Sequence, residues 1–363
     1  CALPIYFHFS TQMNLKNEMI ESIKNEIKFQ KDFINPNETT QTVYFGGGTP
    51  SLLNAEELNS ILEVIHQKFN VGKNIELTLE ANPDDISYAA VKKWTSIGVN
   101  RLSLGIQSFN DEELQWMQRA HNAERALNCI DEIFEAGISN FSVDLIFGSH
   151  YTSSEQLIKS LETIVAKNIP HLSCYALTAE PKTLLNHWIE NKITKGLDAE
   201  KQAEEFLLIH DFLSAQGYEQ YEISNYSKKG MRSKHNSSYW QGKPYYGFGP
   251  SAHSFDGKKT RRWNVANNAL YIKNLSQGID YFEKETLTET QQLNEYIMTS
   301  LRTAEGINID ELGLKFGNEQ KKILIENLQK HLNNKHLLFD NTHIILSREG
   351  KLFADGIAAD LFF

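Results

Sequence analysis

The sequence predicts an α/β fold: a partial barrel of the (β/α)6 type, followed by a small C-terminal helical domain that resembles a winged helix. Over the first two-thirds of the chain, short apolar and β-branched runs alternate with amphipathic helical patterns, as in parallel βα units. The tail then changes to helices and a closing hairpin. With 363 residues, the chain is long enough for a barrel and a smaller domain.

Six short runs are predicted as strands of the barrel, because they are rich in apolar residues and most end at Gly, Pro or Asn. They cover residues 5–9, 42–45, 75–80, 101–106, 141–147 and 171–177. The segments between them carry apolar residues three and four positions apart, such as Leu58, Ile61, Leu62 and Ile65, which predicts helices with one buried face. In such barrels the functional residues gather at the C-terminal ends of the strands, so we expect a site there.

Three segments of different composition divide the chain. Residues 1–216 hold the barrel pattern, whereas residues 217–285 are dense in Tyr, Gly, Ser and Asn and lack helical periodicity. We expect this second segment to be irregular structure covering a site, since it has too many aromatic residues for a disordered linker. Residues 286–363 return to a helical pattern. The predicted elements of this tail are helices at 294–303 and 319–333 and a hairpin with an Asp340-Asn341 turn.

The composition argues against several classes of protein. The 46 acidic residues outnumber the 36 basic ones and give a net charge of −10, which disfavours nonspecific nucleic-acid binding. We expect no membrane-spanning helix, because no apolar run reaches about 18 residues, and the start of the chain lacks a signal-peptide pattern. The three cysteines are far apart, so we expect a reducing, cytoplasmic location, with Cys129 and Cys174 as buried small hydrophobes.

The stretch YFGGGTPS, at residues 44–51, follows a predicted strand. Consecutive glycines let a backbone approach a ligand closely and expose amide groups to it, although a tight turn after a strand gives the same pattern. No Lys-Ser or Lys-Thr pair follows, so the stretch is not a P-loop.

Further polar residues occur at or near the ends of the next strands. Glu80 in LEANP ends one strand, where a carboxylate can accept hydrogen bonds from an amine or a ribose. Gln107 ends the next strand and is followed by Arg119 and His121, of which we expect His121 to be structural or to support the residues that contact a ligand. Asp144 lies inside the strand VDLIFG, where an unpaired charge is costly, so it either pairs with a structural Arg or backbone amide or contacts a ligand.

These motifs, in this order, resemble those of the radical SAM superfamily, and more narrowly the group that contains oxygen-independent coproporphyrinogen III dehydrogenase and the haem chaperone HemW. The matching stretches are YFGGGTPS, LEANP, GVNRLSLGIQSF, the following R-x-H, VDLIFG, SCYALTAEP, GYEQYEISNY, HNSSYW and GFGPSAHSF, which span nearly the whole chain. The resemblance implies a radical SAM barrel that binds S-adenosylmethionine. The residues it implies for this cofactor are Tyr6, Gly47, Gly48, Thr49, Glu80, Gln107, Arg119, Asp144 and Ala176.

The resemblance also implies a [4Fe–4S] cluster held by three cysteines, with one iron left open for the cofactor. The family's cysteines belong between Tyr6 and Phe7, but here these residues are adjacent, and Cys1 matches no ligand position. Either the chain has lost the cluster loop and is a cluster-less binding protein, or the loop is missing from the sequence as printed. The other cofactor motifs are intact, which favours the second explanation.

The stretch HNSSY resembles an H-N-x-x-Y element that is associated with haem binding in HemW-like proteins, and His235, Asn236 and Tyr239 match it. An imidazole is a common axial ligand of haem iron, so His235 is a candidate ligand. Two alternatives stay open: His235 forms hydrogen bonds within the aromatic segment, or His253 in GPSAHS is the ligand or lines the pocket.

Three functions are compatible with the resemblance. The first is a haem chaperone that passes haem to acceptor proteins, which the compact length and Phe7 favour. The second is a radical dehydrogenase that oxidatively decarboxylates the propionate side chains of coproporphyrinogen III, and the third is a cluster-less binding protein. The implied partners are haem or a porphyrin, acceptor proteins, a one-electron donor and a second copy of the chain, with no nucleic acid.

Overall fold

The computed structural model describes residues 15–29, 33–35 and 37–363. The predicted first strand at 5–9, the cofactor candidate Tyr6 and the Tyr6–Phe7 junction lie outside the described residues, as does Cys1.

The larger part of the protein is built on a sheet of seven strands. Its strands are β1 Thr39–Phe45, β2 Asn70–Ala81, β3 Arg101–Gln107, β4 Phe141–Phe147, β5 His171–Ala176, β6 Glu219–Glu222 and β7 Asn225–Ser227. The accompanying helices are α1 Lys16–Phe29, α2 Ala55–Lys68, α3 Tyr88–Ser96, α4 Asp111–Trp116, α5 Ala123–Glu135, α6 Ser154–Ala166, α7 Leu184–Glu190 and α8 Ala199–Ala215. The five strands predicted within the described residues are confirmed.

The strand order is β1-β2-β3-β4-β5-β7-β6, and β1 to β5 are parallel. β7 pairs antiparallel with β5 and with β6, so a hairpin closes this edge of the sheet. The sheet curls into a half-barrel, which confirms the predicted partial α/β barrel. Its outer face packs on the helices through a continuous apolar core that includes Leu79, Leu104 and Val143.

The segment from residue 217 onward is more regular than the sequence predicts. Besides the β6–β7 hairpin, it contains a short helix, a longer helix and a three-stranded antiparallel sheet of order β10-β9-β8. These elements are α9 Lys234–Trp240, β8 His253–Phe255, β9 Thr260–Asn264, α10 Asn268–Gln277 and β10 Phe282–Thr286. The expectation of irregular structure is wrong here because strands of three to five residues are too short to show a periodic pattern.

The tail forms a small domain with its own apolar core. It comprises α11 Glu289–Leu301, β11 Ile307–Asn308, α12 Ile309–Phe316, α13 Asn318–Asn327, α14 Gln329–Asn333, β12 Leu337–Phe339, β13 His343–Leu346 and α15 Ala354–Asp360. Its strands pair antiparallel in the order β11-β13-β12. The predicted helices and hairpin are confirmed, except that the helix expected at 319–333 is split at Leu328. The division of the chain into three segments stays a prediction.

A buried carboxylate on α1 forms hydrogen bonds with the segment that follows the barrel. Glu26 accepts hydrogen bonds from the Gly249 amide (2.8 Å), the Asn264 side chain (2.8 Å) and the Tyr271 hydroxyl. Burial raises the pKa of Glu26, and these three hydrogen bonds oppose that rise. The loop GFGPSAHS, β9 and α10 are therefore held against α1. In the part of the chain that the structure describes, no helix is both long and apolar enough to cross a membrane.

Candidate functional site

The concave face of the half-barrel is polar. Successive residues of a strand point to opposite sides of a sheet, so each strand presents one apolar and one polar row. The residues between the core positions of β1 to β5 form the polar row. They are Thr42, Tyr44, Glu76, Thr78, Glu80, Arg101, Ser103, Gln107, Ser142, Asp144, His171, Ser173 and Tyr175. A parallel sheet covered by helices on both faces is apolar on both, so this pattern indicates a concave surface that could accommodate a polar ligand.

Glu80 and the glycine loop meet at the open end of this face. The Tyr44 hydroxyl donates a hydrogen bond to Glu80 Oε1 (2.8 Å), and the Gly47 amide donates one to Oε2 (3.1 Å). A side chain at Gly46 would put its Cβ 2.5 Å from Tyr44 Cε1 and 2.8 Å from Glu80 Oε1, so only glycine fits. Gly47 has φ of +103°, which also favours glycine. The structure thus brings the predicted residues Gly47 and Glu80 together; Gly48 is exposed beside them, and Thr49 is half-buried.

Two carboxyl groups at this site have raised pKa values. Burial raises the pKa of Glu80 to about 7, the charge of Asp144 adds to the rise, and the hydrogen bonds from Tyr44 and Gly47 oppose it. Burial also raises the pKa of Asp144 to about 6, against a hydrogen bond from Ser173 and the charges of Arg101 and Arg119. A site in which two carboxyl groups titrate near neutral pH is poised to bind a cation, because the cation stabilises both carboxylates.

Gln107 and Arg119 lie together over the backbone of β3. Arg119 Nη2 donates to the Gly105 carbonyl (2.7 Å) and to Asn82 Oδ1 (3.0 Å). A Cβ on Gly105 would lie 3.0 Å from Gln107 Nε2 and 3.1 Å from Arg119 Nη2, which shows that both side chains cover this residue. Ala176 is exposed at the same edge of the sheet, where it pairs with Phe147. Of the predicted cofactor residues within the described chain, Glu80, Gln107 and Ala176 lie at the C-terminal ends of their strands and Gly47, Gly48, Thr49 and Arg119 in the loops that follow, whereas Asp144 lies in the middle of β4.

His235, Asn236 and Tyr239 lie on α9, which is fastened to the barrel. The Glu76 carboxylate accepts the backbone amides of Lys234 (3.1 Å) and His235 (2.9 Å), and Asn236 Nδ2 donates to the Tyr221 hydroxyl (3.1 Å). These contacts place α9 against β1, β2 and β6.

Both ring nitrogens of His235 have partners. Nδ1 is 2.9 Å from Thr42 Oγ1, and Nε2 is 3.1 Å from the Tyr239 hydroxyl. The imidazole also stacks on the Tyr44 ring, with centroids 4.7 Å apart and planes at 17°. Burial lowers the pKa of His235 to about 4, so it is neutral at pH 7. Of these two contacts, the one with Tyr239 lies within residues 217–285 and the one with Thr42 does not, and an iron at Nε2 would have to displace the Tyr239 hydroxyl.

The other histidines named from the sequence have separate positions. His253 is exposed on β8 and stacks on Trp263, with centroids 6.2 Å apart. His121 is buried, and its Nε2 is 3.0 Å from the Ile106 carbonyl, which accepts the bond. The structural role predicted for His121 agrees with this contact.

The residues described by the structure offer no metal centre: no group of three or more His, Cys, Asp or Glu among them could hold an ion. Cys129 and Cys174 are buried and free, as predicted, and burial raises the pKa of both thiols. The predicted cluster position at the Tyr6–Phe7 junction is outside the described residues.

Tyr44 and Arg101 are among the residues of the concave face that were not predicted from the sequence. Tyr44 contacts both Glu80 and His235, although only Gly47, Gly48 and Thr49 of its motif were considered. Arg101 is 2% exposed and its Nε has no hydrogen-bond partner among the described residues, yet its charge acts on Asp144, His171 and His235. The alternation of R-L-S-L-G-I-Q in β3 places Arg101 in the same row as Gln107, and this pattern could have identified it.

Comparisons with known proteins identify the family of the chain. The radical SAM superfamily model matches residues 7–164, and the HemN C-terminal domain model matches residues 287–353. The heme chaperone HemW of Bacillus subtilis is 32% identical over 320 residues, covering 87% of this chain and 84% of that protein. HemW of Lactococcus lactis is 29% identical over 314 residues, covering 86% and 82%, respectively. The mitochondrial radical S-adenosyl methionine domain-containing protein 1 of Danio rerio is 32% identical over 327 residues, covering 87% and 74%.

A solved structure has the same fold. Coproporphyrinogen III oxidase (HemN) from Escherichia coli aligns over 97% of this chain and 84% of its own, with a TM-score of 0.82 and 19% identity. The half-barrel, the polar concave face and these matches lead to one assignment. The chain belongs to the radical SAM superfamily, within the coproporphyrinogen III oxidase-like group that includes the HemW relatives.

Proposed function

We propose that this protein is a haem chaperone that binds S-adenosylmethionine at the open end of the half-barrel and haem next to α9, and transfers haem to acceptor proteins. The observation that carries the proposal is the 32% identity to Bacillus subtilis HemW over 84% of that relative's length. The residues around Glu80 supply groups that could bind the cofactor, and those around His235 supply groups that could bind haem.

The residues at the end of the sheet fit S-adenosylmethionine. The sulfonium and ammonium groups of this molecule are cations, and Glu80 and Asp144 are carboxyl groups whose ionised forms a cation would stabilise. Gly46 and Gly47 allow the backbone to approach the ligand, while Gln107 and Arg119 supply further polar groups. A [4Fe–4S] cluster, when bound, supplies one electron to the sulfonium. The three cysteines that would hold it are expected between Tyr6 and Phe7 and are not in the printed sequence.

The residues around α9 suit a flat aromatic ligand. Tyr44, His235 and Tyr239 form a continuous row of rings, and Tyr239 is 41% exposed at its outer end. Because His235 is neutral at pH 7, Nε2 offers a lone pair to iron once the Tyr239 hydroxyl moves away. The proposal therefore assigns haem to the exposed side of α9, with His235 as the axial ligand.

A second candidate is oxidative decarboxylation of coproporphyrinogen III. The observations that favour it are the TM-score of 0.82 with the Escherichia coli oxidase and the match to the HemN C-terminal domain. A cluster-less binding protein is the third candidate, because Tyr6 and Phe7 are adjacent in the sequence.

The experiment starts with mass-spectrometric mapping of the N-terminal peptides of the purified protein. A peptide that joins Tyr6 directly to Phe7 would refute the cluster, and an insert with three cysteines would support it. Ferric haem is then titrated into the protein while the Soret band is followed, for the wild type, His235→Ala, His253→Ala and the exposed control His66→Ala.

The chaperone proposal predicts saturable haem binding that His235→Ala weakens at least tenfold and that His66→Ala leaves unchanged. Loss of binding in His253→Ala alone would move the ligand to β8. Turnover of coproporphyrinogen III by the anaerobically reduced protein, without stable haem binding, would favour the dehydrogenase instead.

The proposal extends to a cytoplasmic location, a one-electron donor, haem-acceptor proteins and a homodimer. Cell fractionation tests the location, and sedimentation equilibrium of the purified protein tests the dimer.

A further inference from the structure

Tyr44 contacts both the predicted cofactor site and the candidate haem site, which are on separate motifs of the sequence. Its hydroxyl donates to Glu80 Oε1 (2.8 Å) in the predicted cofactor site, and its ring stacks on the imidazole of His235 on α9 (4.7 Å, 17°). One side chain therefore contacts the key acid of one site and the candidate ligand of the other.

The surroundings of Tyr44 restrict its movement. Tyr44 Cε1 lies so close to Gly46 that a single added methyl group there would sit 2.5 Å away. Burial and the neighbouring carboxylates of Glu80 and Asp144 raise the pKa of the Tyr44 hydroxyl well above its usual range, so it remains a hydrogen-bond donor at any working pH. The orientation of the ring is thus fixed by Glu80 on one side and by His235 on the other.

The strength of the hydrogen bond between Tyr44 and Glu80 depends on the charge of Glu80. With a pKa of about 7, this carboxyl group is only partly ionised at neutral pH. A cation bound beside it holds it in the ionised form, and a hydrogen bond to a charged acceptor is about twice as strong as one to a neutral acceptor. A cation in the cofactor site therefore strengthens the hydrogen bond from Tyr44 to Glu80 and restricts the movement of the Tyr44 ring.

We propose that Tyr44 is a positioning residue that couples the two sites, so that S-adenosylmethionine at Glu80 increases the affinity of α9 for haem. A fixed Tyr44 ring holds the stacked imidazole in one plane, which lowers the entropy lost when His235 engages its ligand. Because binding free energies are linked, haem increases the affinity for S-adenosylmethionine by the same factor. This inference rests on the proposed function.

The test compares ferric-haem titrations with and without saturating S-adenosylmethionine in three proteins. Tyr44→Phe retains the ring and loses the hydroxyl. Tyr151→Phe is the matched control, since Tyr151 is likewise a stacked tyrosine, with its ring 4.9 Å from that of Trp116. We expect S-adenosylmethionine to lower the haem Kd about fivefold or more in the wild type and in Tyr151→Phe, at the lower end of typical couplings. In Tyr44→Phe the ratio of the two Kd values should fall to about one, whatever the absolute affinity for haem is.

A second measurement does not require haem. Hydrogen exchange of the α9 amides, Lys234–Trp240, should slow when S-adenosylmethionine is added to the wild type but not when it is added to Tyr44→Phe. Equal responses of the two proteins in both measurements would overturn the coupling, as would a wild-type haem Kd that S-adenosylmethionine leaves unchanged or raises. If the wild type binds no haem, the proposed function fails, and hydrogen exchange alone decides whether Tyr44 connects the cofactor site to α9.

Discussion

The affinity for S-adenosylmethionine should fall as the pH drops from 8 to 6, because Glu80 must be ionised to accept hydrogen bonds from an ammonium group. Burial raises the pKa of Glu80 to about 7 from its ordinary value of 4.5. Because its pKa is raised, Glu80 is fully ionised only well above pH 7 and becomes protonated below it. The ionised fraction amounts to about 90% at pH 8 and about 10% at pH 6, so Glu80 alone should raise the Kd about tenfold.

Isothermal titration calorimetry of S-adenosylmethionine into the wild type and Glu80→Gln, at pH 6, 7 and 8, measures this effect. The α-amino group of the ligand also gains a proton over this range. We therefore compare, for each protein, the ratio of the Kd at pH 6 to the Kd at pH 8. The side chain of Glu80→Gln does not titrate, so the wild-type ratio should exceed the Glu80→Gln ratio about tenfold if the assignment of Glu80 is right. An equal pH dependence in both proteins would refute it, since the titrating group would then lie elsewhere.

Three further outcomes follow from contacts in the structure. Gly46→Ala places a Cβ 2.5 Å from the Tyr44 ring and should weaken S-adenosylmethionine binding at least tenfold, while far-UV circular dichroism remains unchanged. Glu26→Ala removes the acceptor of three buried hydrogen bonds, although Asn264 Nδ2 keeps its bond to the Gly249 carbonyl, and should lower the free energy of unfolding by about 3–5 kcal/mol, measured by urea denaturation. Arg101→Met removes a charge that lowers the pKa of Asp144 and should therefore raise that pKa above about 6, measured by carbon-13 NMR of the carboxyl group.

Controls separate these effects from general destabilisation. Gly356→Ala introduces a methyl group at a glycine that, like Gly46, has no positive φ and where no atom lies within 4 Å of the added Cβ, so any loss it shares with Gly46→Ala does not come from a clash with Tyr44. Glu21→Ala, on the exposed side of α1, should change the free energy of unfolding by less than about 0.5 kcal/mol. An unchanged pKa of Asp144 in Arg101→Met would show that the charge of Arg101 does not reach it.

The barrel strands could be predicted because each is encoded locally, and local motifs were also enough to name the candidate cofactor residues. A run such as FSVDLIF is apolar enough to identify β4, and a carboxylate or glycine at the end of a strand needs only its neighbours in sequence to be noticed. The β6–β7 hairpin was missed because its strands have four and three residues and are held by pairing with β5, a contact made across the chain.

The environment of His235 could not be predicted for the same reason. Its partner Thr42 is 193 residues away in the chain, and Glu76, which fixes the start of α9, is 159 residues away. A motif shows which side chains are present but not which of their atoms are already engaged. Arg101 is different, because the alternating pattern of β3 was available in the sequence and only the interpretation of its polar row was absent.

The separation of polar and apolar rows in the half-barrel has a consequence for folding. If β3 paired one residue out of step, Arg101 would turn toward the helices and Leu102 toward the concave face. The guanidinium would then lie among the apolar side chains of the helices, and several apolar side chains would lie on the polar concave face, at a cost of many kcal/mol over a single strand. The same polar residues that are proposed to hold the ligands thus select the native pairing of the strands, long before any ligand arrives.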